Sequence, residues 1–233
     1  MFSQNQEDRM IQAVFGRIGV KTRKFVEFGF GFVQNNTLRF ALRHRGSGLY
    51  MDGSEKNCRR ARLLWAAVPL NVKIKQAWLE RENIDELIRQ GVGAGEIDLL
   101  SIDVDGNDYW LWKAISSISP RVVIAEYNAS FGPDRAVTVP YDPAFDRHHK
   151  HPLGFYHGMS LAAAEKLAAA KGYSLIGCED AGVNALFVRK DQAGPFAALT
   201  ARQAFKPHSN RVRRNYTQHE QEKLVYSLPV IEV

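Results

Sequence analysis

Cysteine is scarce here, with only Cys58 and Cys178 in 233 residues. Two distant cysteines make neither a disulfide framework nor a cysteine metal cluster, so they are read as reduced thiols of a cytoplasmic protein. Long apolar runs are missing too. No stretch approaches the ~18 residues of a membrane span, and MFSQNQEDRM has no apolar core of a secretory signal. Neither internal repeats nor low-complexity segments occur. The basic run Arg202, Lys206, Arg211, Arg213 and Arg214 contains no acidic residue. A basic patch attracts nucleic acid or phosphate. No aromatic-basic recognition motif accompanies this one, so it is read as solvated surface or tail.

What is present is enough apolar residue, 45 % of the chain, to form a sizeable core. Short apolar runs alternate with helical patterns. KFVEFG (24–29), LYMD (49–52), Val72 to Gln76, IDLLSIDV (97–104) and RVVIAEY (121–127) read as strands. Between them, Leu38, Ala41 and Leu42 have helical spacing, with Asn35 or Asn36 as cap. SEKNCRRARLLWA (54–66) starts at a capping Ser54 and stops before Pro69. Ile84, Leu87 and Ile88 mark another helix, and DYWLWKAI follows the fourth strand. SLAAAEKLAAAKG (160–172) is a further helix. YSLIGC and NALFVRK are joined by the short EDAGV, which leaves no room for a crossover, so that pair must be antiparallel. The expected fold is α/β, doubly wound, with a mostly parallel seven-stranded sheet ending in an antiparallel hairpin. Residues 1–195 are expected to form the main domain. Within it, 129–159, rich in proline, histidine and aromatics, is a substrate-lid loop; 196–233 is a basic extension.

In an open parallel sheet, ligands bind outside the carboxyl ends of the strands. The first strand ends Glu27-Phe28-Gly29-Phe30-Gly31, where glycines permit close ligand approach or simply a tight turn. The second ends at Asp52, about 20 residues on, where an acid can accept from ribose hydroxyls. The bulky residues after Gly31 (Phe32, Val33, Gln34) disfavour a pyrophosphate and suit a nucleoside cofactor without phosphates. Ala77 and Trp78 close the third strand, Trp78 as an adenine-stacking ring or as core. The fourth ends Asp103-Val104-Asp105-Gly106-Asn107-Asp108, carboxylates whose repulsion requires compensation; Asp108 alternatively caps the next helix. With Glu126 and Asn128 at the fifth strand end, Asp103 offers oxygen ligands suited to Mg²⁺ or Ca²⁺. His148, His149 and His151 are read as surface histidines. His157 and Asp105 are the two candidate general bases.

These residues resemble one family. Ser3-Gln4-Asn5-Gln6-Glu7-Asp8 resembles the SQ-x-x-ED opening of FkbM-type methyltransferases. Ile102-Asp103-Val104-Asp105-Gly106 resembles their IDVEG motif, with Asp105 replacing Glu. Val26-Glu27-Phe28-Gly29, Asp52-Gly53-Ser54 and Asn83-Ile84-Asp85-Glu86-Leu87 resemble further segments. The resemblance implies a class I, Rossmann-like methyltransferase using S-adenosylmethionine, typically on a hydroxyl of a sugar or natural product; an amine acceptor is the other expectation. The expected cofactor residues are Glu27, Gly29, Gly31, Asn36, Asp52, Gly53, Ser54, Ala77, Trp78 and Asp103. Mg²⁺ on Asp103, Glu126 and Asn128 is a further candidate, by analogy with catechol-type enzymes. Asp103, Asp105 and His157 form the catalytic set. The expected partner is a small-molecule acceptor, without nucleic acid or membrane, and homo-oligomerisation is open. The alternatives are an RNA methyltransferase using the basic tail and a non-catalytic protein of the same fold.

Overall fold

A computed structural model describes residues 7–31, 35–68 and 70–233. The Ser3–Gln6 part of the opening motif, Phe32, Val33, Gln34 and Pro69 lie outside the described residues. The strands are β1 (Lys24–Phe28), β2 (Ser47–Asp52), β3 (Asn71–Gln76), β4 (Gly95–Ile102), β5 (Ile118–Glu126), β6 (Val137–Thr138), β7 (Tyr173–Cys178), β8 (Asn184–Arg189) and β9 (Ile231–Glu232). Seven of them form one sheet in the order β3-β2-β1-β4-β5-β8-β7. β1 is parallel to β2 and to β4, and β7 is antiparallel to β8. Strand order reverses between β1 and β4, and such switch points hold ligands in folds of this kind.

The chain divides into two compact units. The first comprises the residues up to Asp103 together with Ala114–Val123. Its helices are α1 (Glu7–Ile18), α2 (Leu38–His44), α3 (Glu55–Trp65) and α4 (Ile84–Val92). α3 packs on β2 and β3, α4 on β1 and β2, and α1 on α2. Strands covered on both faces read as continuous apolar runs, and Phe25, Val26 and Phe28 of β1 are fully buried. An aromatic chain runs from Phe15 through Phe40, Phe25 and Tyr50 to Phe30 and Trp65, with centroids 4.7 to 6.2 Å apart. β3, at the sheet edge, carries Lys73 and Lys75, which discourage edge pairing.

Local signals placed most of these elements. Ser54 caps α3 by accepting from the Asn57 N–H. The cap of α2 differs from the expectation: it is Thr37, not Asn35 or Asn36. The Asn36 amide instead donates to Ser101 Oγ, because burial beside β4 requires that its polar atoms find partners. β4 also stops at Ile102, so Asp103 and Asp105 lie in the turn beyond it. α1 adds to the expected elements, and its Ile11, Val14 and Phe15 have helical spacing and are buried.

The second unit comprises Val104–Lys113 and Ile124–Val233. It contains α5 (Asp108–Ala114, to Lys113), α6 (Arg147–Lys150), α7 (Leu161–Ala170), α8 (Ala201–Ala204), α9 (Ser209–Arg213) and α10 (Gln218–Val225). The segment 129–159 is more regular than expected. It includes a 3-10 turn at Ala129–Phe131, the strand β6 and the helix α6. β9 pairs antiparallel with β6. Phe131, Val137, Val139, Phe145, Phe155 and Tyr156 share one buried cluster with Val225 of α10. Residues 196–233 thus supply part of this unit's core. Thr200 with Gln203, and Thr217 with Glu220, form capping boxes, a local signal that marks α8 and α10 in the sequence.

Candidate functional site

In the first unit, backbone hydrogen bonds align four strand ends. The Gly29 N–H donates to Met51 O at 3.0 Å, the Ala77 N–H to Asp52 O at 3.0 Å, and the Asp103 N–H to Phe28 O at 3.2 Å. Gly29, Asp52, Ala77 and Asp103 therefore stand side by side at the carboxyl edge of β1, β2, β3 and β4. Gly29 adopts φ +75°, a conformation costly for any residue with a Cβ. Gly53 follows Asp52, and a Cβ there would meet Trp78 Cε3 at 2.8 Å. The Trp78 ring thus lies on the backbone of Gly53 while remaining 56 % exposed. The Asp52 carboxylate accepts the Ser54 N–H at 2.7 Å. Partial burial moves its pKa upward, against the hydrogen bonds it receives.

Glu27 and Asn36 have inward-facing roles in this unit. The buried Glu27 carboxylate accepts the N–H of Asn36 (2.8 Å), the N–H of Thr37 (3.0 Å) and the Thr37 hydroxyl (2.5 Å). It thereby ties Asn36 and Thr37, at the start of α2, to β1. Burial outweighs these donors and pushes its pKa up to about 7. Phe30 points into the aromatic core against Tyr50 and Trp65.

The second unit holds a separate polar cluster. Asp105 takes φ +56°, in the left-handed region, and its exposed carboxylate pairs with Arg147. Strain of this kind in a non-glycine residue often accompanies functional sites. Asp108 is engaged locally: its carboxylate accepts the N–H groups of Val104 (2.8 Å) and Gly106 (3.0 Å). Burial raises its pKa to about 6. The oxygens of Asp105 and Glu126 and a ring nitrogen of His157 lie within 4.8 Å of one another. His157 Nδ1 is 3.7 Å from Glu126 Oε2. Arg211 enters the same cluster: its Nη1 donates to Asn128 Oδ1 (2.6 Å) and Ser130 Oγ (2.5 Å), and its Nη2 stands 2.9 Å from His157 Nε2. Burial lowers its pKa to about 10.

The metal expectation meets a geometric obstacle. The Asn128 amide nitrogen donates to the carbonyls of Phe155 (2.7 Å) and His157 (2.8 Å), while its oxygen accepts from Ser130 N and Arg211. No ligating capacity remains on that side chain. The compact acid group of the unit is instead Asp105, Glu126 and His157, where the guanidiniums of Arg147 and Arg211 already provide positive charge. These residues do not fit Mg²⁺, which prefers near-octahedral oxygen coordination.

Arg211 and Ser130 carried no sequence signal as site residues. Arg211 reads there as one more cation of a basic run, yet it is 4 % exposed. Arg202 of the same run is exposed and paired with Asp134 at 2.5 Å. No helix among the described residues is long and apolar enough to cross a membrane.

No family model and no curated protein matches this sequence. Solved structures do. A protein from Staphylococcus aureus described as a caffeoyl-CoA O-methyltransferase superposes with a TM-score of 0.54 at 14 % identity, covering 81 % of this chain and 85 % of that one. An S-adenosylmethionine-dependent methyltransferase from Clostridium acetobutylicum ATCC 824 gives 0.50 at 11 % identity, covering 80 % and 92 %. At such identities the likeness concerns the fold. This chain has the seven-stranded fold of S-adenosylmethionine-dependent methyltransferases.

Proposed function

We propose that this protein is an S-adenosylmethionine-dependent methyltransferase acting on a hydroxyl or amine of a small molecule such as a sugar or natural product. The observation that carries this reading is the row Gly29, Asp52, Ala77 and Asp103 at adjacent strand ends of the switch-point edge. Gly29 gives the methionine portion a close backbone approach, and Gly31 follows it on the same turn. Asp52, oriented by Ser54, accepts from ribose hydroxyls. The exposed Trp78 ring, backed by Gly53, offers a flat face for adenine. Glu27 and Asn36 support this turn from inside. The bound cofactor supplies an activated methyl on a sulfonium. The protein's own task is to orient the acceptor, exclude water and take up the proton released.

The IDVDG string, Ile102 to Gly106, supports a place in the FkbM-type family, whose activity is of this kind. The RNA reading loses support with the burial of Arg211 and the pairing of Arg202. Titration calorimetry with S-adenosylhomocysteine tests the proposal. Binding by the wild type and at least about 10-fold weaker binding by Asp52→Ala are expected, a loss of roughly 1.4 kcal/mol. No binding by the wild type, or equal binding by the variant, refutes the site. A panel of hydroxylated and aminated metabolites with methyl-labelled cofactor, read by mass spectrometry, then finds the acceptor. The same panel without any turnover favours a non-catalytic binder.

A further inference from the structure

One face of α3 is left open to solvent within the first unit. Cys58, Ala61 and Trp65 are buried and share the helical stripe that packs on β2 and β3. Lys56, Arg59, Arg60 and Leu63 recur at the same spacing on the opposite side, and all are exposed. Leu63 is 72 % exposed, and Leu64 beside it 50 %. Ala66 and Ala67, just past the helix end, are exposed as well. The helix carries Lys56, Arg59, Arg60 and Arg62 against Glu55 as its one acid. Lys56 and Arg59 pair with no acid among the described residues. Arg62 is held at the flank, where its Nη2 donates to Ile74 O at 3.0 Å. Cations therefore line the first turns and border an apolar last turn. A lone exposed leucine is ordinary on a protein surface. Two adjacent leucines and two alanines rimmed by cations form a patch of the kind that marks a contact site.

We propose that this face docks the protein reversibly on the anionic surface of a lipid bilayer. Leu63 and Leu64 enter the headgroup boundary, and Lys56 and Arg59 lie against the lipid phosphates. The sign of the charge and the make-up of the patch both favour this occupant. A stable protein partner needs an interface of roughly 1,200 Å² or more with an apolar centre, and one helix end with two leucines and two alanines offers no such centre. A bilayer has no fixed shape to match. It accepts a few apolar side chains wherever cations bring them to the surface. A nucleic acid would engage the cations and leave the leucines in water. The two contributions act together, because neither a pair of leucines nor a few cations holds a protein on lipid alone. The contact needs no membrane span, and none of the described helices is long and apolar enough for one. All of α3 belongs to the first unit, and the docking stands whether or not the strand-end row binds S-adenosylmethionine.

Co-sedimentation of the full chain with lipid vesicles tests this. Vesicles of equal parts phosphatidylcholine and phosphatidylserine are expected to carry the protein down at low salt, and phosphatidylcholine alone is not. Lys56→Gln and Arg59→Gln should each weaken the partition about 5-fold. Leu63→Gln combined with Leu64→Gln should weaken it at least about 10-fold. All four positions are exposed and glutamine is a good helix former, so the thermal midpoint should stay in place. Arg213→Gln combined with Arg214→Gln, in the exposed basic run of the second unit, is the control and should bind as the wild type does. Absence of sedimentation with the anionic vesicles overturns the proposal. So does a loss in the control, which moves the contact to the C-terminal run, and so does indifference to the leucine pair, which reduces it to adsorption of charge. Tighter binding of a single-stranded RNA than of the vesicles, with the same dependence on Arg59, assigns the face to nucleic acid and overturns it as well.

Discussion

The Glu27 carboxylate takes the Thr37 hydroxyl at 2.5 Å, so one side chain joins the end of β1 to the cap of α2. That bond has a pH signature, because Glu27 is pushed from 4.5 to about 7 by burial. A carboxyl with a raised folded-state pKa adds stability that is fully present below about pH 4.5 and is lost as pH rises through about 7. Glu27→Gln is expected to flatten this decline, which amounts to roughly 3 kcal/mol. Urea midpoints of both proteins between about pH 5 and pH 8 measure it; parallel profiles refute it.

Asp98 gathers backbone donors and a guanidinium within the first unit. Its buried carboxylate accepts the N–H groups of Lys21, Thr22 and Arg23 and pairs with Arg121 at 2.7 Å. Asp98→Ala leaves a guanidinium and three N–H groups without that partner, and is expected to cost about 3–5 kcal/mol. Chemical denaturation reads this directly. A loss below about 1 kcal/mol would show the pair to be energetically neutral.

Trp78→Ala separates binding from stability. The ring is 56 % exposed, so the unfolding midpoint should hardly move. Losing a stacking face costs a base roughly 1–3 kcal/mol, so S-adenosylhomocysteine should bind about 10-fold or more weakly. Calorimetry beside thermal unfolding tests both halves, and unchanged affinity removes Trp78 from the site.

Val225 is fully buried among the aromatics of the second unit. Val225→Ala should destabilise by about 2 kcal/mol. A mobile tail would tolerate the change without effect, so the urea midpoint distinguishes a docked C-terminal segment from a loose one.

Asp105 sits at φ +56°, where a Cβ costs about 1–2 kcal/mol. Asp105→Gly is expected to be more stable than Asp105→Ala by about 1 kcal/mol. Equal stability of the two would show that this turn carries no strain.

The sequence by itself determined the alternation of strands and helices, the terminal hairpin, and the strand-end residues Gly29, Asp52 and Asp103, because these rest on local periodicity and on where each short apolar run stops. It also contained α1 and the capping boxes of α8 and α10, as local patterns within a turn or two. Only the tertiary structure decided the buried places of Arg211, Glu126, Asn128 and His157. A cation in a basic run and a histidine in a proline-rich stretch look alike whether solvated or buried. Their roles come from hydrogen bonds between residues far apart in the chain, and no local pattern records which donors and acceptors will meet once water is excluded.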